Sequence, residues 1–234
     1  MALPKLETPT YELQLPSTGG KIKYRPFLVK EQKLLMMAQE SNDAKQMIDT
    51  VSKLVTTCTF EKVDASKSPV FDVEYLFLQI RGKSVGDSVE INITCPDDGE
   101  TNVPVKLNLS EVSIQMTNDH TNVIDVTENI KMHLRYPLLS DIAATENKSD
   151  TETVFELLNT CVHQLHYGDE IYHRSDISDK DMTEFIDQLT TGQFETVMEF
   201  FNSMPKLRHV VSVTNPKTKK KSEVVLEGLQ SFLE

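Results

Sequence analysis

The stretch Ser88-Val-Glu-Ile-Asn-Ile-Thr-Cys-Pro-Asp-Asp-Gly-Glu-Thr-Asn-Val-Pro-Val-Lys-Leu-Asn-Leu109 decides the fold class. Apolar residues alternate with polar ones in both halves, and Cys95-Pro-Asp-Asp-Gly-Glu100 separates the halves. Alternation of this kind indicates strands that bury one face, and proline, aspartate and glycine together are typical of a turn. We therefore predict a β-hairpin over residues 88–109 with a turn that resembles a zinc knuckle.

Helix and strand patterns precede this hairpin. A second hairpin is predicted around the turn sequence Pro16-Ser-Thr-Gly-Gly20. Asp43, with Gln46 three residues later, is placed to begin a helix. Ser68-Pro69 is placed to begin another, and Gly82 is placed to end it.

Further strands are predicted over 112–116 and 130–136, and the chain after Thr151 is predicted to be mostly helical. Apolar residues at helical spacing predict one helix over 154–165 and two more within 178–201, and alternation over 207–226 predicts a terminal hairpin. The predicted fold is therefore α+β, with mixed helices and antiparallel β-hairpins and a helical C-terminal part that ends in a hairpin.

A polar stretch from Glu146 to Thr151 is the predicted hinge. It divides the chain into an N-terminal α+β region, 1–146, and a helical C-terminal region, 147–234. A single compact domain is the alternative, because 234 residues can form one core. No internal repeat is apparent.

Composition limits the partners. The formal net charge is −12, from 36 acidic and 24 basic residues, so the surface repels nucleic-acid phosphates and anionic membranes. Three dispersed cysteines argue against a disulfide scaffold. The N-terminus has neither the basic stretch nor the apolar run of a signal peptide, so we expect synthesis in the cytosol without standard export.

Two groups of residues are candidate metal ligands. A zinc knuckle has the sequence Cys-Pro-x-Cys-Gly and needs a second knuckle to complete four ligands. Here Asp98 replaces the second cysteine and no second cysteine knuckle exists, which leaves Cys95 as a weak metal candidate. Cys161, His163 and His166 form another, on a predicted helix. Glycine-rich phosphate loops and nucleophile elbows are missing from the sequence. We therefore expect a protein that is not an enzyme and that binds neither a metal nor a cofactor.

The apolar residues that best fit a partner lie near the C-terminus. They share an amphipathic setting close to the chain end, and core packing is the alternative for each: Phe200, Leu229, Phe232 and Leu233. A basic run over 217–221 lacks interleaved aromatic residues, so it predicts a solvated hairpin loop rather than a nucleic-acid patch.

Segments spread in order along the chain resemble the baseplate hub subunit, or hub assembly protein, of T-even-type tailed phages. They are Met1-Ala-Leu-Pro-Lys5, Leu15-Pro-Ser-Thr-Gly19, Tyr24-Arg-Pro-Phe-Leu-Val-Lys-Glu31, Arg81-Gly-Lys-Ser-Val-Gly86, Cys95-Pro96, Leu109-Ser-Glu-Val112, Leu134-Arg-Tyr-Pro137, His209 and Leu226-Glu-Gly-Leu-Gln-Ser-Phe232. None of them is a chemical motif, and the specificity lies in the ordered set.

The resemblance implies a non-enzymatic phage tail protein that is a component of the baseplate hub or an assembly chaperone for it. It implies partners among other hub and tail proteins, the host cytoplasm during assembly, and a possible place in the virion baseplate. The alternative is a zinc-ribbon-like binding module that has lost or altered its metal site. Oligomeric state and the identity of the hub partner stay open.

Overall fold

The computed structural model describes residues 6–41, 43–145 and 148–232. Within them the α+β prediction is confirmed: helices alternate with antiparallel sheets. Two compact units are present. The first runs through Gln115 and includes the chain from Lys206 onward, and the second is Met116–Pro205.

The first unit is built on three small antiparallel sheets, which are β1–β2, β3–β4 and β11–β10–β5. Its core combines the inner faces of the last two sheets with the helix α3. The elements are β1 (Tyr11–Gln14), β2 (Lys21–Tyr24), α1 (Val29–Ser41), α2 (Ala44–Cys58), α3 (Val70–Val85), β3 (Ser88–Thr94), β4 (Asn102–Asn108), β5 (Ser113–Gln115), β10 (Lys206–Thr214) and β11 (Lys221–Glu227).

The second unit packs helices on one four-stranded sheet in the order β6–β7–β8–β9. Met132, Leu158 and Phe200 are fully or almost fully buried in its core. The elements are β6 (Val123–Asp125), β7 (Ile130–Leu134), α4 (Leu139–Thr145), α5 (Asp150–Cys161), β8 (Val162–Tyr167), β9 (Glu170–His173), α6 (Asp179–Asp187) and α7 (Thr191–Ser203).

This division differs from the predicted boundary at residues 146 and 147. The terminal hairpin β10–β11 pairs with β5, Leu207 lying opposite Ile114, so the chain returns to the first unit after the second one is complete. Sequence order alone favoured a split into two consecutive halves. The second unit is instead an insertion between two strands of one sheet.

Two predicted boundaries were wrong. Gly82 lies inside α3, which continues to Val85 and ends at Gly86, whose positive φ of 109° suits glycine. The predicted helix over 154–165 ends at Cys161, and the chain continues directly as β8, whose Leu165 lies opposite Met132 of β7. Pairing in the sheet therefore decides a segment whose apolar spacing suited either structure.

Three hairpins share one type of turn. In Leu15–Gly19, Cys95–Gly99 and residues 215–219, the second residue is proline and the amide of the fifth residue donates to the carbonyl oxygen of the first, at 2.8, 2.9 and 2.9 Å. The fifth residue has a left-handed φ in each, with values of 68°, 69° and 64°. Glycine occupies this position twice, whereas Lys219 holds it in the terminal hairpin at a steric cost.

The same local structure occurs in both units, an internal repeat that the sequence did not suggest. In the first, Arg25 follows β2 and its backbone N–H donates to the carbonyl oxygen of Cys58, at the end of α2, at 2.9 Å. Its guanidinium donates to Glu31 at 3.0 Å, and Glu31 accepts the N–H of Leu28 at 2.7 Å. These contacts form an elbow that directs the chain from the hairpin into α1.

The second unit contains the same elbow. Arg135 follows β7, its N–H donates to the carbonyl oxygen of Cys161 at 2.8 Å, and its guanidinium donates to Asp141 at 2.6 Å. Asp141 accepts the N–H of Leu138 at 2.8 Å. Both units therefore contain a hairpin, an arginine–acid elbow and two helices, the second of which ends in a buried cysteine.

Candidate functional site

The knuckle-like turn is held by the carboxylate of Asp98, the residue in the place of the second knuckle cysteine. One oxygen accepts the N–H groups of Glu100 and Thr101 at 3.1 and 3.0 Å, and the other accepts the Thr101 hydroxyl at 2.6 Å. These hydrogen bonds lower the pKa of Asp98 far below its usual range, the Thr101 hydroxyl contributing most. Asp98 therefore stays ionised and stabilises the turn by accepting hydrogen bonds.

This turn contacts the turn of the terminal hairpin. The side-chain amide of Asn215 is almost fully buried and donates to Asp97 at 3.0 Å and to Asp98 at 2.9 Å. The hydroxyl of Thr218 also donates to Asp97. The hydrogen bonds from Thr218 and then Asn215 lower the pKa of Asp97. The sequence places both acids in a turn but gives no sign of Asn215, because its partners lie 117 and 118 positions away.

The environment of Cys95 disfavours metal binding. Its side chain is buried, and burial, followed by the nearby charges of Asp97 and Asp98, raises the pKa of its thiol. A raised pKa disfavours the thiolate that a metal or an electrophile would need. In the part of the chain that the structure describes, no group of three or more histidine, cysteine, aspartate or glutamate side chains is arranged to hold a metal ion.

The second metal candidate does not assemble. Cys161 is fully buried at the end of α5, and burial raises the pKa of its thiol to about 12. His163 is exposed on β8, while His166 stacks on His133 with 4.1 Å between ring centroids and contacts Gln164 at 3.2 Å. The predicted helical proximity of the two histidines was wrong because both lie on a strand.

The residues predicted to bind a partner lie mainly in the cores. Phe200 is 1% exposed and Phe232 is fully buried. Leu229 is half-buried and donates its N–H to the side chain of Glu74 at 2.9 Å. Leu233 lies outside the described residues. Among the described residues, the larger exposed apolar surfaces lie elsewhere.

The helix α1 carries such a surface. Only Glu31, Leu35 and Ala38 of this helix are buried, a stripe of single residues at spacings of four and three. Four apolar side chains on the rest of its circumference are at least half exposed, namely Val29 (81%), Leu34 (54%), Met36 (52%) and Met37 (50%). We call these four residues the outer face of α1.

A groove beside α1 enlarges this surface. It has a volume of about 550 Å³ and is lined by residues of α1 and α2, including Lys30, Leu34, Gln46 and Lys53. Every residue of the run Leu34-Leu-Met-Met-Ala38 is apolar, so the sequence alone does not show which of them face outward. That distinction requires the position of α2.

The comparison with family models identifies the chain. A model described as T4 bacteriophage base plate protein matches residues 8–234. The chain belongs to this family. No curated protein and no solved structure gave a significant match. None of the helices among the described residues of this phage base plate protein has the length and apolar character that a membrane crossing requires.

Proposed function

We propose that this base plate protein is a component of the baseplate hub, or an assembly factor for it, and acts through contacts with other hub and tail proteins rather than by catalysis. Family membership and the resemblance to hub proteins support this role. We propose that it acts in the host cytoplasm during assembly, and that a copy retained in the particle lies in the tail baseplate. The proposal does not depend on a metal or a cofactor.

The outer face of α1 is the observation that carries the proposal. Methionine and aliphatic side chains that extend from a helix beside a groove suit the helix-in-groove and groove-binding modes of protein recognition. Val29, Met36 and Met37 lie on the side away from the buried stripe, so they can be covered by a partner without unfolding the unit. Lys30 and Lys33 alternate with them and favour a partner surface that also carries acids.

The test replaces the outer face and measures binding. The chain is co-expressed with the hub proteins of its phage and analysed by size-exclusion chromatography with light scattering. We expect the wild type to co-elute with a hub protein and the variant Val29→Ser/Met36→Ser/Met37→Ser to bind at least about tenfold more weakly. Stability should change little because all three side chains are exposed.

The matched control is Gln32→Ser/Gln39→Ser, which changes two exposed polar positions of the same helix. It should bind like the wild type. Equal binding by both variants would show that α1 is not the contact surface. A wild-type chain that co-elutes with no hub or tail protein would contradict the proposed function itself.

A further inference from the structure

The turns Cys95–Gly99 and 215–219 are equivalent position by position. Both begin with a residue followed by proline, both close with an N–H to carbonyl hydrogen bond of 2.9 Å, and both place the fifth residue in the left-handed region. Each also joins two adjacent antiparallel strands, β3 with β4 and β10 with β11. They differ in the side chains that they present.

Backbone geometry alone does not make these turns a pair, because Leu15–Gly19 has it too. There the first residue is a leucine, and the turn is tied through Ser17 to Asp72 of α3. The other two turns are joined to each other by hydrogen bonds between their side chains. The contact between the two tips is therefore a specific feature of this hairpin pair.

Three of the four residues in contact, Asp98, Asn215 and Thr218, occupy ligand positions of a zinc ribbon, and the fourth, Asp97, directly precedes Asp98. In that arrangement two knuckles face each other, and the first and fourth residues of each bind one tetrahedral ion. The equivalent positions here are Cys95 and Asp98 in one turn and Asn215 and Thr218 in the other. Asn215 Nδ2 donates to Asp98 at 2.9 Å, which joins the two sets of positions directly.

Asn215 also reproduces the local hydrogen bonds of a knuckle. Its side-chain Oδ1 accepts the N–H of Lys217 at 2.8 Å and of Thr218 at 3.3 Å. In a zinc knuckle the amides that follow the first ligand donate to its thiolate in the same way. The amide oxygen thus replaces the sulfur as acceptor, and Nδ2 provides the donors that cross to the other turn.

We infer that the two hairpin tips form a zinc-ribbon-like clasp in which hydrogen bonds from Asn215 and Thr218 to Asp97 and Asp98 replace the metal. The clasp ties the terminal hairpin to the hairpin over 88–109. Charge-assisted hydrogen bonds suit this role because they are shorter and stronger than neutral ones. This inference is independent of the proposed function, since it concerns a connection within one unit.

The inference predicts that cysteines at the remaining ligand positions create a metal site. The variant Asp98→Cys/Asn215→Cys/Thr218→Cys retains Cys95 and should bind one zinc ion per chain. Elemental analysis after desalting measures the stoichiometry, and cobalt substitution should give the absorption spectrum of a tetrahedral thiolate site. Zinc should raise the thermal midpoint of the variant, and a chelator should reverse the increase.

The control carries the same number of added cysteines in or directly after the same turns. Glu100→Cys/Lys217→Cys/Lys220→Cys changes exposed positions and should bind no stoichiometric zinc. If the first variant folds and binds no more zinc than this control, the inference is wrong. If it is unfolded without metal, refolding in the presence of zinc provides the same distinction.

A second variant tests the hydrogen bonds without any metal. Asn215→Asp removes the two donors and adds a carboxylate beside Asp97 and Asp98. We expect a lower thermal midpoint than for the wild type, and a difference that shrinks as acid protonates the three carboxyl groups. Asn102→Asp, at an exposed position of β4, is the control. Equal thermal midpoints for Asn215→Asp and the wild type would overturn the clasp.

Discussion

The replacement Phe232→Ala separates two roles for the C-terminal segment. Phe232 is fully buried in the core of the first unit, in one cluster with Leu78, Leu207 and Leu226. Removing a buried phenylalanine side chain costs about 3–5 kcal/mol, since the apolar transfer energy is lost and a cavity remains. For a chain of this size the thermal midpoint should fall by about 6–20 °C.

Urea denaturation followed by circular dichroism measures this loss as a lower midpoint concentration at an unchanged slope. Leu229→Ala is the control, because Leu229 is half-buried and its hydrogen bond to Glu74 uses the backbone N–H, which alanine retains. The free energy of unfolding should fall clearly less for Leu229→Ala than for Phe232→Ala. If Phe232→Ala loses less than about 1 kcal/mol and abolishes binding to hub proteins, Phe232 serves a partner and the core assignment is refuted.

Three further predictions concern stability. Lys219→Gly should raise the free energy of unfolding by about 1 kcal/mol, because a positive φ of 64° is strained for lysine, whereas Lys220→Gly should lower it. Burial raises the pKa of Glu74 to about 7, so its contribution to stability is complete below about pH 4.5 and is lost as the pH rises through 7. In urea titrations, Glu74→Gln should therefore have a higher free energy of unfolding than the wild type near pH 8 and not near pH 4. Arg25→Ala should cost about 3 kcal/mol in the same assay and Arg135→Ala less, since the Arg135 side chain is 31% exposed and that of Arg25 is 12%. Equal losses for the two arginine variants would contradict the role assigned to burial.

Local patterns predicted the hairpins well. Alternation in 88–109 gives the strands β3 and β4 with Ile91 opposite Val105, because one face of this pair packs into the core. Asp43 caps α2, as its position indicates. These features depend on residues within a few positions of one another, so sequence analysis can find them.

Features that depend on distant contacts were missed. The segment after Cys161 has apolar spacing compatible with a helix, and only its partner β7 makes it a strand. The elbow repeat is hidden because Cys58 lies 33 positions after Arg25, whereas Cys161 lies 26 positions after Arg135. Few positions carry the repeat, and the length between them varies.

The clasp was missed for a related reason. A zinc knuckle is recognised by its cysteines, yet an asparagine and a threonine occupy the equivalent turn. The backbone conformation is set by proline and by a left-handed fifth residue, neither of which requires a metal ligand. Ligand chemistry and turn geometry are thus separable, and this chain has the geometry of two facing knuckles without their set of four cysteines.

The elbow explains how α1 can hold an outward apolar face. A helix usually remains attached through a wide apolar stripe, but only three side chains of α1 are buried, and one of them is Glu31. Its carboxylate binds the Arg25 guanidinium and the N–H of Leu28, and these hydrogen bonds lower its pKa although burial alone would raise it. Because this ion pair fixes the start of the helix, fewer apolar residues are needed on the inner side. Val29, Met36 and Met37 are then free to face a partner, so the attachment of α1 and its proposed function depend on the same elbow.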